Sequence, residues 1–400
     1  MTPLPPNAVP PPDDADVHAH SERLRALIQE QIFASGGAIA FSRFMELCLY
    51  APGLGYYSAG ATKFGEAGDF VTAPELGPLF AACVADAVAP VLQQLGPAAE
   101  FVELGGGSGA FAEVALKKLL ALDAVPARYA ILEPSADLRQ RQRERLQQRL
   151  NPLLFELIEW LDAPPQQQWN GVLFANEVID ALPTPRFTIR DGEVFEEHVS
   201  LDGEGRFIRS DRPADALLAA AVRHVERQLA APFADGYRSE LLPQLPYWLQ
   251  AVIGGMQRGA LLFIDYGYPR VEYYQPQRRD GTLRAFRRHH MSTDVFAWPG
   301  LQDLTASVDF TAMAEAGSSA GFDFTGYCSQ ASFLIGNGLE QNLAAAEARA
   351  HDESARYKLR QEAKRLTLPD DMGERFQAIG FQREVEFGAA FLAGDLSWRL

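Results

Sequence analysis

A chain of 400 residues with 36 basic and 52 acidic side chains carries a formal charge of −16, which argues against nucleic acid or an anionic membrane surface as its main partner, since both need a cationic footprint. A hydrophobic content of 47% against 22% charged residues is that of a globular protein able to bury a core. The sequence has no apolar run of ~18 residues and its N-terminus lacks a signal-peptide pattern, so membrane insertion is not expected and a cytoplasmic location is.

Residues 1–20 hold six prolines in the first twelve positions, followed by Asp13, Asp14 and Asp16, and read as a disordered tail. Ser21 is placed to cap a helix carrying Leu24, Leu27, Ile28 and Ile32 at helical spacing, which Gly36-Gly37 ends. A second helix follows Ser42 and stops before Pro52. The stretch Gly60–Pro74 then reads as a glycine-containing lid loop, so residues 21–97 form a helical cap. From residue 98 short apolar segments alternate with helices, the pattern of a parallel α/β sheet. Strands are expected at Glu100–Leu104, Arg128–Glu133, Leu153–Ile158, Gly171–Ala175 and Ala260–Asp265, with two more near Phe322–Tyr327 and Glu386–Phe391. Helices fit Ala110–Leu122, Ala136–Leu150, Ala216–Leu229 and Phe310–Ala320. Too many residues separate the fourth and fifth strands for one crossover, so insertions are expected at about 184–258 and 268–305; the first opens with the hairpin signals Asp191-Gly192 and Asp202-Gly203. Cys48, Cys83 and Cys328 lack metal or redox spacing and read as buried thiols.

The segment Phe101–Ala110, FVELGGGSGA, is a strand running through a glycine turn into a helix. A glycine turn alone also fits a nicotinamide cofactor. Glu103 beside it suits a cationic ammonium better than a pyrophosphate, which prefers bare amides. Glu133 ends the second strand where a ribose diol would lie. Both acids together point to S-adenosylmethionine. The same turn approximates the nucleophile elbow of serine hydrolases, with His289, His290 and Asp265 downstream, but that elbow belongs late in its sheet. Asn176-Glu177-Val178-Ile179-Asp180 leaves the fourth strand at the edge where open α/β sheets place their chemistry. On a helical turn Glu177 and Asp180 would share one face, either as catalytic carboxylates or as helix N-terminal acids. The basic stretch Arg278–His290 reads as pairing with the protein's own acids.

At these residues the chain resembles the MidA family of class I S-adenosylmethionine-dependent methyltransferases, whose eukaryotic relatives are complex I assembly factors that methylate a protein arginine. The matching stretches are Ile39–Tyr57, Phe64–Phe80, Glu103–Gly109, Ile131–Ser135, Asn176–Phe187, Ile264–Gly267, Tyr274–Arg288 and Asp303–Phe310. The resemblance implies a Rossmann-like, mostly parallel α/β sheet with a helical N-terminal cap and inserted elements, and S-adenosyl-L-methionine as cofactor. It places Gly68, Asp69 and Phe70 over the methionine end, with Asp69 near the ammonium. Glu103, Gly105 and Gly107 match the first cofactor motif, and Glu133 the ribose ligand, followed by Pro134 and Ser135. Trp160-Leu161, after the third strand, fall on the adenine side. Asn176, Glu177 and Asp180 match the signature after strand four, which departs from the N/D-P-P-Y/F of many amine methyltransferases. A protein substrate is implied, arginine foremost. A cofactor-binding assembly protein with little turnover and a nicotinamide oxidoreductase are the alternatives, and a homodimer is left open.

Overall fold

The structure is a computed structural model that describes residues 14–58, 72–288 and 290–400. Two compact units divide these residues. One comprises residues 72–178, Leu245–Gly267 and Val308–Leu400, the other residues 14–58, Ile179–Gln244 and Tyr268–Ser307.

The first unit is built on an eight-stranded sheet. Its seven longer strands are β1 (Glu100–Leu104), β2 (Arg128–Leu132), β3 (Ile158–Leu161), β4 (Trp169–Asn176), β5 (Met256–Tyr268), β6 (Asp323–Ser329) and β7 (Phe376–Arg383). They lie in the order β3-β2-β1-β4-β5-β7-β6. The first five are mutually parallel, and β7 runs antiparallel between β5 and β6. Parallel strands need crossovers, and helices α1 (Leu79–Leu95), α2 (Ala110–Ala121), α3 (Ala136–Arg149), α4 (Leu245–Ile253) and α5 (Phe310–Ser319) belong to this unit. One core runs through Phe80, Val84, Phe101, Phe111, Phe174 and Leu262, all fully or almost fully buried.

Three segments depart from the sequence expectation. Residues 153–158 are not a strand: Asn151 accepts a hydrogen bond from the Leu154 N–H at 2.9 Å and Pro152 opens a helical turn over Pro152–Phe155, which moves β3 to Ile158–Leu161 and puts Trp160-Leu161 on its carboxyl end. The last strand is Phe376–Arg383, while residues 386–391 are a loop whose Phe387 and Phe391 are buried as plugs; a Cβ on Gly380 would lie 2.3 Å from the Phe391 ring. Helix α1 belongs with the sheet, its Leu79 N–H donating at 2.6 Å to the buried Glu362 carboxylate, so the cap does not extend to residue 97. The cysteines are free and buried.

The second unit opens with the helix Ala15–Ala34, seven residues earlier than expected, because Asp14 rather than Ser21 supplies the N-cap; Ser21 is buried and donates to the Pro299 carbonyl at 3.0 Å. The helix Phe41–Tyr50 follows. The inserted hairpin Arg186–Arg190/Glu193–Leu201 turns on Asp191 and Gly192, with φ of +51° and +78°, the mirror-image turn that matches strand twist. Arg186 is fully buried and shared by three carboxylates, Glu197 at 3.0 Å, Glu240 at 3.0 Å and Asp280 at 2.9 Å. Asp280 sits in the basic stretch and ties it to Arg186, while Arg278 donates to the carbonyls of Glu272 and Tyr273. Among the described residues no helix is long and apolar enough to cross a membrane.

Without Arg186, Glu197 and Asp280 keep Arg209 and Arg238, but the buried Glu240 loses the cation paired with it. Arg186→Met is expected to lower the stability of the folded chain by about 3–5 kcal/mol in chemical denaturation. A loss below about 1 kcal/mol would show that the cluster is not a stabilising element.

Candidate active site

Open α/β sheets bind ligands beyond the carboxyl ends of their strands. Here β1 ends in Glu103-Leu104, the chain turns through Gly105, Gly107 and Gly109 with φ of +67°, +52° and +82°, and α2 begins at Ala110. The two middle glycines serve different purposes. A Cβ on Gly107 would meet nothing within 4 Å, so the turn faces open space there, whereas a Cβ on Gly106 would lie 2.7 Å from the Ile131 side chain and 3.0 Å from the Gln142 amide.

Two carboxylates are buried at this edge, Glu103 and Glu133. Burial pushes the Glu103 carboxyl up to about 8; the Tyr129 hydroxyl, which donates to it at 2.7 Å, opposes the rise, and the Glu133 charge adds to it. Tyr129 is held for this by stacking on Phe101, ring centroids 4.9 Å apart and planes 4° from parallel. Glu133 accepts from the Ser135 N–H at 3.0 Å and from the Gln142 amide at 3.3 Å. Ser135 also caps α3. Gln142, fully buried on α3, further donates to the Gly107 carbonyl at 3.0 Å and accepts from the Trp160 indole at 2.8 Å. Sequence reading missed Gln142: in a helix as polar as ADLRQRQRERLQQR only its place four residues before Leu146 marks it as inward-facing.

At the end of β4 the Asn176 amide donates to the Glu177 carboxylate at 3.0 Å, and the buried Asn176 Oδ1 has no hydrogen-bond partner among the described residues. Glu177 has a φ of +53°, a left-handed conformation that costs a non-glycine residue energy and recurs at functional sites. No helix follows, so neither the shared helical face nor the helix N-terminal reading of Glu177 and Asp180 holds. Asp180 is buried, in the second unit, and its carbonyl accepts from the Ala306 N–H at 3.0 Å. Gly68, Asp69 and Phe70, with most of the lid loop, lie outside the described residues. The Ser108 hydroxyl donates a hydrogen bond to the Glu75 carboxylate and accepts from Arg145 at 3.1 Å; it is a structural hydroxyl, not an activated nucleophile.

Strand order, glycine turn and paired acids together define a class I S-adenosylmethionine-dependent methyltransferase. Residues 83–328 match the model of a family of S-adenosyl-L-methionine-dependent methyltransferases, and the chain belongs to that family. A crystal structure of a Burkholderia thailandensis protein bound to S-adenosyl-homocysteine is 41% identical, superimposes with a TM-score of 0.90, and is covered over 98% of this chain and 100% of its own. The mitochondrial protein arginine methyltransferase NDUFAF7 of Danio rerio is 28% identical over 374 residues, 85% of this chain and 82% of that protein. Its Mus musculus counterpart is 27% identical over 390 residues, 90% and 84% of the two chains. The cofactor is S-adenosyl-L-methionine, and the nicotinamide reading falls. The residues present fit it: open space over Gly107 and two buried carboxylates suit a ligand with a cationic ammonium and a ribose diol.

The raised Glu103 value makes a prediction for the ligand-free protein. Its folded-state value of about 8 exceeds the ordinary 4.5, so between those limits the folded chain holds a proton that the unfolded chain has released. The associated stability is present below about pH 4.5 and is lost as pH rises to about 8, at most about 1.4 kcal/mol per pH unit. Denaturation of wild type and Glu103→Gln across this window should show the wild type losing ground steadily. Parallel pH profiles would refute the burial of an ionisable Glu103.

Proposed function

We propose that the protein transfers a methyl group from S-adenosyl-L-methionine to a guanidinium nitrogen of an arginine in a protein substrate. The observation that carries the acceptor is the likeness, over 85% of this chain, to proteins named arginine methyltransferases. The chemistry at the end of β4 supports it. A guanidinium stays charged up to pH ~12 and offers five N–H donors and no acceptor, so its site must supply oxygens. Asn176 Oδ1 and the Glu177 carboxylate are such oxygens, and Asp180 supplies a second carboxylate a few residues on.

Glu103 is assigned to the cofactor's ammonium together with Asp69, Gly68 and Phe70, and Gly105 and Gly107 give the methionine end its space. Glu133 receives the ribose diol, with Pro134, Ser135, Trp160 and Leu161 along the adenosine half. The bound cofactor supplies an electrophilic methyl on a sulfonium. The protein's own task is positioning: Asn176 orients Glu177, and Glu177 aligns the guanidinium nitrogen and takes up the proton it sheds.

Mass spectrometry of lysate proteins incubated with labelled S-adenosylmethionine should find the label on arginine. Label on another residue type refutes the acceptor, and tight cofactor binding without any label favours an assembly role. Glu177→Gln should keep cofactor affinity while lowering transfer by roughly 10²-fold. Glu177→Gly should lose transfer too but gain stability, by about 1 kcal/mol, as the left-handed strain is released. Full activity in Glu177→Gln removes that residue from the mechanism. Calorimetry at pH 7 in buffers of different ionisation enthalpy should report net proton release on binding S-adenosylhomocysteine, since burial raises the Glu103 carboxyl and an ammonium favours its ionised form. Glu103→Gln should release none.

A further inference from the structure

The strand ends that make up the adenosine half of the site come from β1, β2 and β3. The Gly105 N–H donates to the Leu132 carbonyl at 3.0 Å and joins the first two, and Arg139 donates to the carbonyls of Glu133 and Leu161 and joins the last two, but among the described residues no single backbone hydrogen bond reaches all three turns. One side chain does. The Gln142 amide donates to the Gly107 carbonyl at 3.0 Å and to Glu133 Oε2 at 3.3 Å, and accepts from the Trp160 indole at 2.8 Å. Both N–H donors and the acceptor oxygen are thereby used, on the turn after β1, the acid after β2 and the tryptophan at the end of β3. The amide has one workable orientation, because a flipped amide would turn its oxygen on a carbonyl and a carboxylate at once and face the indole N–H with its own N–H groups. Gln142 is fully buried, and the missing side chain of Gly106 makes its room: a Cβ there would come within 3.0 Å of Nε2. Arg143, the next residue on α3, lies 4.4 Å over the Trp160 ring, so the helix clamps that indole from a second side.

We propose that Gln142 is a positioning residue for the cofactor, holding the Glu133 carboxylate in the orientation that receives the ribose diol and locking it to the glycine turn and to Trp160. A glutamine suits this task better than a cation would. It gives Glu133 a hydrogen bond without neutralising it, and so leaves the carboxylate its full strength as an acceptor for ribose hydroxyls. The assignment does not depend on which residue accepts the methyl group.

The test measures affinity for S-adenosylhomocysteine and for its 2′-deoxy analogue by calorimetry, in wild type, Gln142→Leu, the isosteric Gln142→Glu and, as reference, Glu133→Gln, with melting temperatures on the same preparations. Wild type should prefer the ligand with the intact diol by about tenfold or more, the worth of a charge-assisted hydrogen bond. In Gln142→Leu that preference should collapse toward the value of Glu133→Gln, whatever the melting temperature does. Gln142→Glu keeps the volume and the acceptor for the indole but sets a carboxylate against Glu133 and the Gly107 carbonyl; it too should lose the preference, while the Trp160 indole N–H resonance keeps its hydrogen-bonded shift. That resonance, identified by its disappearance in Trp160→Phe, should move in Gln142→Leu. A merely structural glutamine would lower stability and leave the diol preference intact. An unchanged preference in either folded Gln142 variant, or equal affinity of wild type for both ligands, overturns the proposal.

Discussion

Everything at the working edge of the sheet depends on burying carboxylates where water does not reach them. Glu103 sits at the end of β1 with its exposure cut to 3%, and an ionised carboxylate in that position is costly. The protein answers with one hydroxyl, from Tyr129, and sets that hydroxyl by stacking its ring on Phe101 from within the core. The parallel register aligns Glu103 with Ile131, two residues before Glu133, and the Glu133 charge adds to the cost of ionising Glu103. A cationic ligand offsets that cost. A ligand with a cationic group therefore meets a carboxylate whose ionised form the protein itself stabilises little.

The topology serves that edge. Strands β4 and β5 pair in parallel along eight registered positions although about eighty residues separate them, and those residues are not a disordered excursion. Residues 179–244 fold into the second unit, where Phe187, Val222 and Tyr273 share one apolar cluster, and α4 then supplies the crossover that every parallel pair requires. Arg186 stands near the beginning of that excursion and draws together Glu197, Glu240 and Asp280 from three distant stretches of chain. A fully buried guanidinium with that many partners specifies which strand ends meet, because any other pairing would strand a charge in the interior.

Local chemistry accounts for where sequence reading succeeded and where it failed. The strand–glycine turn–helix unit at Glu100–Ala121 and the hairpin at Asp191-Gly192 depend on contacts within a few residues, and both stand as expected. At Leu153–Ile158 and Glu386–Phe391 apolar content by itself predicts extended structure. In the first the Asn151-Pro152 cap overrode it, and in the second the aromatic side chains are buried as loop plugs against Gly380 and Gly326, a use that periodicity does not distinguish from a strand. The helical turn expected after β4 is absent because Glu177 adopts a left-handed backbone, and nothing in the identity of a glutamate signals a positive φ.

The sequence alone determined the class of chemistry: a glycine turn with an acid on its preceding strand and another acid one strand later constrain the ligand through covalent neighbours, so their spacing can be read without a fold. Gly107, Glu103 and Glu133 carry that information in residue type. What tertiary structure alone decided is how those groups are held. The Tyr129 hydroxyl under Glu103, the Gln142 amide joining three turns and the ionic cluster around Arg186 all join residues far apart in the chain. Such contacts exist only once strand order is set, and each residue involved has a composition-neutral identity that its sequence neighbours do not explain.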